Sequence, residues 1–176
     1  TIVMSEKSSV ERRQVLKALG ATLILTPAEL GGDGAWDRAD EIAASDPERY
    51  CRIRQYDSEA NPNVHYRTTA EEILAQTDGA VDAFVAGMGT TGTLMGAGRR
   101  LRELNPSIKL IGVEPQPKGK QQGIRNLNLT RAPGIFDPSL PDERIVIDDE
   151  EAFRVAKRLC REEGLFVGIS CGSAMA

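Results

Sequence analysis

The sequence contains few of the residues on which several classes of protein depend. Its 176 residues include three cysteines, one histidine and one tryptophan. The cysteines lack the spacing of metal ligands, and their odd number argues against a disulfide framework. We therefore expect no metal site and a reducing, cytoplasmic compartment. We also expect all three to be small core residues: Cys51, Cys160 and Cys171.

Long apolar runs and a strong charge imbalance are also missing. No apolar stretch approaches the length of a membrane-spanning helix, and no secretory signal is visible. The net charge is −4, and no basic stripe indicates a nucleic-acid partner. The chain begins on Thr1 with an apolar run and ends on what looks like the first turn of a helix. We therefore expect an internal piece of a longer protein.

Short apolar runs alternate with helical patterns along the chain. This alternation predicts a parallel α/β sheet with right-handed crossovers, in which ligands bind at the carboxyl ends of the strands. Residues 31–34 are expected to form a flexible loop, and residues 114–142 a long functional or mobile one. The predicted strands are residues 1–4, 21–26, 50–53, 82–86, 109–113, 144–147 and 165–167.

The most informative stretch is a strand, a glycine-rich turn and a helix. Residues 82–86 are apolar and bounded by glycine, as in a strand buried on both faces. Residues 93–104 carry spaced apolar residues that are typical of an amphipathic helix. The glycines between them permit close backbone approach, and the helix N-terminus offers unpaired N–H groups and a positive dipole end. The stretch therefore predicts a phosphate site.

The spacing alone leaves the phosphate ligand open. The glycines from Gly87 to Gly92 match a dinucleotide fingerprint, and Glu114 follows at a distance suited to a ribose contact. Three threonine hydroxyls in four residues instead favour a compact phosphate monoester: Thr90, Thr91 and Thr93. A tight turn without a ligand is the third alternative.

Several segments, in order along nearly the whole chain, resemble the pyridoxal-phosphate-dependent cysteine synthases of the tryptophan-synthase-β fold type, also called fold type II. The likeness is closest to the cysteine synthase B branch, with cystathionine β-synthase a near relative. The Gly-Thr-Thr-Gly-Thr loop and the Gly-Ile-Arg segment are the most specific features. The matching segments are residues 11–13, 20–25, 55–62, 65–73, 89–93, 123–126, 133–136 and 168–172.

The resemblance implies a set of site residues. The loop would cradle the phosphate of pyridoxal 5′-phosphate through Gly89, Thr90, Thr91, Gly92 and Thr93. Ser170 would accept or donate the hydrogen bond to the pyridine nitrogen, although it could simply cap the following helix.

Substrate contacts would come from three further residues. The resemblance implies that these are Gln55, Gly123 and Arg125; the alternatives are a loop glutamine without a ligand for Gln55 and a solvated loop arginine for Arg125. The only histidine, His65, is expected to support the site rather than to act as an acid or base. None of the six lysines matches the family's Schiff-base motif, so no catalytic residue is expected within this chain.

The resemblance also implies a domain organisation and a reaction. Residues 1–50 would end a smaller N-terminal α/β domain, and residues 51–176 would form most of a larger, C-terminally truncated domain that binds the cofactor phosphate. The parent protein, a homodimer, would make L-cysteine from O-acetyl-L-serine or O-phosphoserine and a sulfur donor, through an aminoacrylate. The chain alone would be inactive. Cystathionine synthesis, an NAD-binding dehydrogenase half and a non-catalytic binding module are the alternatives.

Overall fold

Two separate parallel sheets organise the chain. The computed structural model describes all residues from 1 to 176, and they divide into two units, residues 1–53 and 54–176. The first unit consists of β1 (Ile2–Ser5), α1 (Val10–Ala18), β2 (Leu23–Thr26), a 3-10 turn (Ala28–Leu30) and α2 (Gly31–Ser45). Strands β1 and β2 pair in parallel, with Ile2 opposite Leu23.

Local signals account for most of the first unit. Ser9 caps α1, where its side chain accepts a hydrogen bond from the N–H of Arg12, and Gly20 follows the helix with a φ of 82°. The expectation of a loop at residues 31–34 is wrong, because α2 begins at Gly31. Gly34 lies against the side chain of Leu30, so its missing side chain permits close packing of the first turn rather than a flexible loop.

The second unit contains a three-stranded parallel sheet in the order β3-β4-β5. Its strands are β3 (Ala83–Gly87), β4 (Lys109–Pro115) and β5 (Glu143–Ile147). Its helices are α3 (Ala60–Val64), α4 (Ala70–Gln76), α5 (Gly92–Leu104), α6 (Asp149–Glu162) and α7 (Ile169–Met175), and a π-helical turn (His65–Thr69) joins α3 to α4. The prediction of an α/β fold built on parallel sheets is confirmed. No helix combines the length and the apolar character needed to cross a bilayer.

The core of this unit lies between α5 and the sheet. Helix α5 approaches α3 closely because Gly96 lies against the backbone carbonyl of Pro62, where a side chain would collide. The long segment after β4 contains no further strand or helix before β5, as expected. The largest fully buried apolar side chains are Met88, Leu94, Met95, Leu101, Ile108 and Leu110.

Two of the expected strands do not form. Residues 50–53 have no regular structure, and residues 165–167 pair with no strand. The N–H of Leu165 donates to the carbonyl of Leu159 at the end of α6, and Phe166 is 94% exposed. An apolar run forms a strand only beside a partner strand, and neither run has one here.

The expectation that the cysteines are core residues is also wrong. Cys51, Cys160 and Cys171 are all exposed thiols. Cys51 lies in irregular backbone rather than in a strand. Cys160 is in α6 but is not one of the buried residues of that helix, which are Ala152, Val155 and Ala156.

Candidate cofactor site

The loop between β3 and α5 ends in a strained, buried threonine. Thr91 is the N-cap of α5 and has a φ of 70°, which is rare for a residue with a branched side chain. It is 3% exposed, and its hydroxyl has no hydrogen-bond partner. Buried hydroxyls are almost always paired, so this one marks a place for a hydrogen-bonding ligand. The first turn of α5 adds N–H groups that the helix cannot pair, together with its positive dipole end.

Two glycines in this loop allow other segments to approach it. A side chain at Gly92 would overlap the side chain of Asn61. A side chain at Gly89 would begin 2.9 Å from the carbonyl oxygen of Gly123, closer than real contacts permit. The backbone of the loop is therefore within reach of both α3 and the segment after β4.

Asn61 connects the loop to the segment before α3. Its amide nitrogen donates to the hydroxyl of Thr90, at 3.0 Å, and to the carbonyl oxygen of Gln55, at 2.7 Å. The N–H of Gly92 also donates to the Thr90 hydroxyl, at 3.2 Å. Because the hydroxyl oxygen of Thr90 accepts two hydrogen bonds, its proton remains available for a ligand.

The third loop threonine is oriented by the only histidine. Nε2 of His65 lies 3.2 Å from the hydroxyl of Thr93, and Nδ1 lies 2.9 Å from the hydroxyl of Thr69. His65 begins the π-helical turn, a distortion that is frequent at functional sites. A neutral imidazole that donates from Nε2 leaves the Thr93 proton free to donate to a ligand, while Nδ1 accepts from Thr69.

The other expected site residues belong to the same unit and surround the loop. Gly123 has a φ of 98°, and a side chain there would begin 3.4 Å from the hydroxyl of Ser170, the second residue of α7. The N–H of Arg125 donates to the carbonyl of Met88, at 2.7 Å. Its guanidinium lies 5.0 Å from the centre of the Tyr56 ring. Tyr56 directly follows the exposed Gln55 in the sequence. The structure therefore brings three segments close to the loop, together with Ser170 of α7. These segments are residues 55–61, the π-helical turn and residues 123–125.

Glu114 does not have the surroundings of a ribose ligand. Its side chain is 1% exposed and forms an ion pair with Arg144, whose Nε donates to it at 2.6 Å. The N–H of Leu127 donates to its second oxygen, at 3.2 Å. Both oxygens of the Glu114 carboxylate thus accept hydrogen bonds from protein groups, and neither is left for a ribose. This removes the main support for the hypothesis that the loop binds a dinucleotide.

Sequence reasoning missed two residues of this site. Asn61 and Thr69 lie in the matching segments 55–62 and 65–73, but neither pattern predicts a role for them at the site. An asparagine beside a proline in a first helical turn is a weak signal, because the proline already supplies the helix start and leaves the amide free to bind elsewhere. Thr69 carries no comparable signal.

A phosphate monoester fits these residues. The hydroxyl protons of Thr90 and Thr91 and the N-terminal turn of α5 are available at one loop, the Thr93 proton is available as well when His65 donates from Nε2, and two glycines keep the backbone of the loop accessible. These are the groups that stabilise a buried dianion. Beside the loop, Gly123 is exposed and Ser170 is half-buried.

Comparisons with known proteins place the chain in a family. The family profile described as "Pyridoxal-phosphate dependent enzyme" matches residues 1–176. Cysteine synthase A of Escherichia coli (strain K12) is 41% identical over 100% of this chain and 59% of its own length. Cysteine synthase B of Pseudomonas aeruginosa is 39% identical over 99% of this chain and 58% of its own length.

A solved structure supports the same conclusion. The crystal structure of O-ureido-L-serine synthase superposes with a TM-score of 0.90 and 38% identity, and the match covers 98% of this chain and 57% of that one. The chain thus spans somewhat more than half the length of these relatives. It belongs to the family of pyridoxal-phosphate-dependent enzymes.

Proposed function

We propose that the protein containing this chain is a cysteine synthase that makes L-cysteine from O-acetyl-L-serine or O-phosphoserine and sulfide or another sulfur donor. The observation that carries the proposal is the unpaired, buried hydroxyl of Thr91 at the start of α5. It lies in a loop whose other hydroxyls are already oriented by protein partners. The cysteine synthases among the relatives support the choice of reaction.

Under this proposal the loop holds the cofactor phosphate. Thr90, Thr91 and Thr93 donate their hydroxyl protons, and Gly89 and Gly92 keep backbone N–H groups within reach. Hydrogen bonds to an ionised phosphate are stronger than bonds between neutral groups. The protein partners of Thr90 and Thr93 fix these donors before the cofactor arrives, which lowers the entropic cost of binding.

Ser170 is proposed to bind the pyridine nitrogen. A neutral hydroxyl, unlike a carboxylate, does not hold that nitrogen protonated, so it favours loss of a substituent from the β-carbon over a persistent carbanion. When bound, the cofactor supplies the electron sink for the α-carbon of an amino acid. Ser170 lies beside Gly123, which has no side chain to cover the hydroxyl.

Gln55, Gly123 and Arg125 are proposed to bind the amino-acid substrate. The guanidinium of Arg125 stacks over Tyr56, which limits its directions, and its planar donors suit a carboxylate or a phosphate group. The backbone carbonyl oxygen of Gln55 accepts a hydrogen bond from the Asn61 side chain, which fixes the position of its backbone. The residue itself is exposed, so its side-chain amide can reach a ligand.

The rest of the reaction is assigned to other parts of the protein. We propose that residues 1–50 end a smaller domain, that residues 51–176 belong to the larger phosphate-binding domain, and that the whole protein is a homodimer. The lysine that would hold the cofactor covalently and transfer protons is assigned to a segment outside these residues, since none of the six lysines matches the family's Schiff-base motif. The chain alone should therefore be inactive.

The test is the visible absorption spectrum of the full-length protein, followed by a product assay. A cofactor band that changes on addition of O-acetylserine, and cysteine formation once sulfide is added, would support the proposal. A band that responds only to O-phosphoserine would assign the leaving group as phosphate. The absence of any cofactor band would refute it. Formation of cystathionine from homocysteine, in place of cysteine from sulfide, would favour the cystathionine synthase alternative.

A further inference from the structure

A short segment beside the phosphate loop is held at both ends by carboxylates. We call residues 122–125 the strap. Its Gly123 lies against Gly89 of the loop and beside Ser170, and its Arg125 stacks over Tyr56. The strap has no helix or strand of its own, so its position depends on the residues that anchor it.

Glu114 anchors the C-terminal end of the strap. It is the next-to-last residue of strand β4, and one of its oxygens accepts a hydrogen bond from the N–H of Leu127 at 3.2 Å. Arg144 on the neighbouring strand β5 neutralises the carboxylate. Next to it, the side chain of the buried Asn126 donates to the carbonyl of Pro115, at 2.9 Å. Two residues that follow the strap are thereby bound to the end of β4.

Asp149 anchors the N-terminal end. Its two carboxylate oxygens lie 3.0 and 2.8 Å from the N–H of Lys120. One of them also accepts from the side chain of Gln121, at 3.2 Å. That side chain in turn donates to the carbonyl of Ile147 and accepts from the hydroxyl of Ser173 in α7. The residues that precede the strap are thereby bound to the start of α6 and to α7.

The strap between these anchors is too short to move independently. Only five residues separate Gln121 from Leu127, and within them the N–H of Arg125 donates to the carbonyl of Met88, the residue before the loop. Displacing either anchor would therefore shift Gly123 and Arg125 relative to the loop.

We propose that Glu114 and Asp149 are positioning residues, which touch neither cofactor nor substrate but hold the strap so that Gly123 and Arg125 meet the amino-acid substrate. The part of this inference that concerns the substrate rests on the proposed function. The anchoring itself does not.

The test compares three variants of the full-length protein. E114Q and D149N keep the shape of each anchor and remove its charge. D142N is the matched control, because Asp142 likewise accepts a backbone N–H, that of Leu110 at 2.7 Å, and pairs with an arginine, Arg102. It does so at the opposite end of β4 from the strap. D149N acts at a less buried site, so the proposal remains testable if E114Q does not fold.

The first readout is hydrogen exchange in the cofactor-free protein. Because the lost bonds are charge-assisted, amides of residues 120–130 should exchange about tenfold faster in E114Q and D149N and at the wild-type rate in D142N. The second readout is steady-state kinetics, in which KM for O-acetylserine should rise about tenfold in both variants while kcat changes less than about twofold.

The outcomes separate the anchoring from the proposed function. Unchanged exchange at residues 120–130 in both variants would overturn the inference, whatever the activity of the protein. So would an equal increase in D142N, because the effect would then be general destabilisation. Faster exchange with an unchanged KM in an active variant would also overturn it. If the wild-type protein makes no cysteine, the proposed function fails, and the exchange measurement still decides the anchoring.

Discussion

Replacing Thr91 with valine should have opposite effects on the free protein and on cofactor binding. Both residues are branched at Cβ and similar in shape, so the variant changes neither the backbone strain at φ 70° nor the packing around it. It removes only a hydroxyl that is buried and unpaired. A buried hydroxyl without a partner costs about 1–3 kcal/mol. The free energy of unfolding of the cofactor-free protein should therefore stay the same or rise by about 1 kcal/mol.

Cofactor affinity should fall in the same variant. If the Thr91 hydroxyl donates to the phosphate, its loss removes one charge-assisted hydrogen bond, worth about 1.5–3 kcal/mol. That range corresponds to a dissociation constant about 10- to 100-fold higher. A covalent link elsewhere in the protein contributes equally to wild type and variant, so the ratio of the two constants isolates the hydroxyl.

The two effects are measured on the full-length protein. Urea unfolding in phosphate-free buffer gives the stability of the cofactor-free form, and titration with pyridoxal phosphate gives the dissociation constant. Thr77→Val is the control, because the Thr77 hydroxyl is exposed and donates to the carbonyl of Ile73. It should leave cofactor affinity unchanged. A T91V protein that is less stable without cofactor and binds it as tightly as wild type would refute the assignment of this hydroxyl.

Three further predictions concern neighbouring residues. Gly92→Ala would place a methyl group where an asparagine side chain lies, so cofactor affinity should fall at least about tenfold, and an unchanged dissociation constant would contradict the close approach. His65→Phe removes the hydrogen-bond partner of the Thr93 hydroxyl and should weaken pyridoxal phosphate binding about tenfold; equal binding would show that Thr93 needs no orientation. The N–H of Leu110 holds the pKa of Asp142 below its usual 3.8, so the stability that this carboxylate adds is complete at neutral pH and is lost as the pH falls below about 4. The difference in urea midpoint between wild type and D142N should therefore shrink between about pH 6 and pH 3, and a constant difference would exclude the titration of Asp142 as its source.

The elements of the fold could be predicted where the signal is local. Ser9 caps a helix through a neighbour three residues away, and Gly20 ends that helix because only glycine readily adopts its φ of 82°. The strands β3 and β4 follow from apolar runs, and the phosphate loop follows from glycines within six residues. Each of these features depends on atoms only a few positions apart, so the sequence carries it directly.

Features that depend on distant partners could not be predicted in this way. Residues 165–167 have the composition of a strand but no strand beside them. Whether a cysteine is buried depends on what packs over it, and Cys51, Cys160 and Cys171 show that a small, weakly polar side chain does not ensure burial.

The sequence by itself determined the parallel α/β architecture and the position of the glycine-rich loop between β3 and α5, because periodicity and glycine spacing act over short distances. The tertiary structure alone decided how the loop is completed. Glu114 has the position of a ribose ligand in the sequence, and only the fold pairs it with Arg144, thirty residues later. Likewise, only the fold brings Asn61 to Thr90 and leaves the Thr91 hydroxyl without a protein partner. Such contacts are set by the packing of whole elements, which no local pattern records.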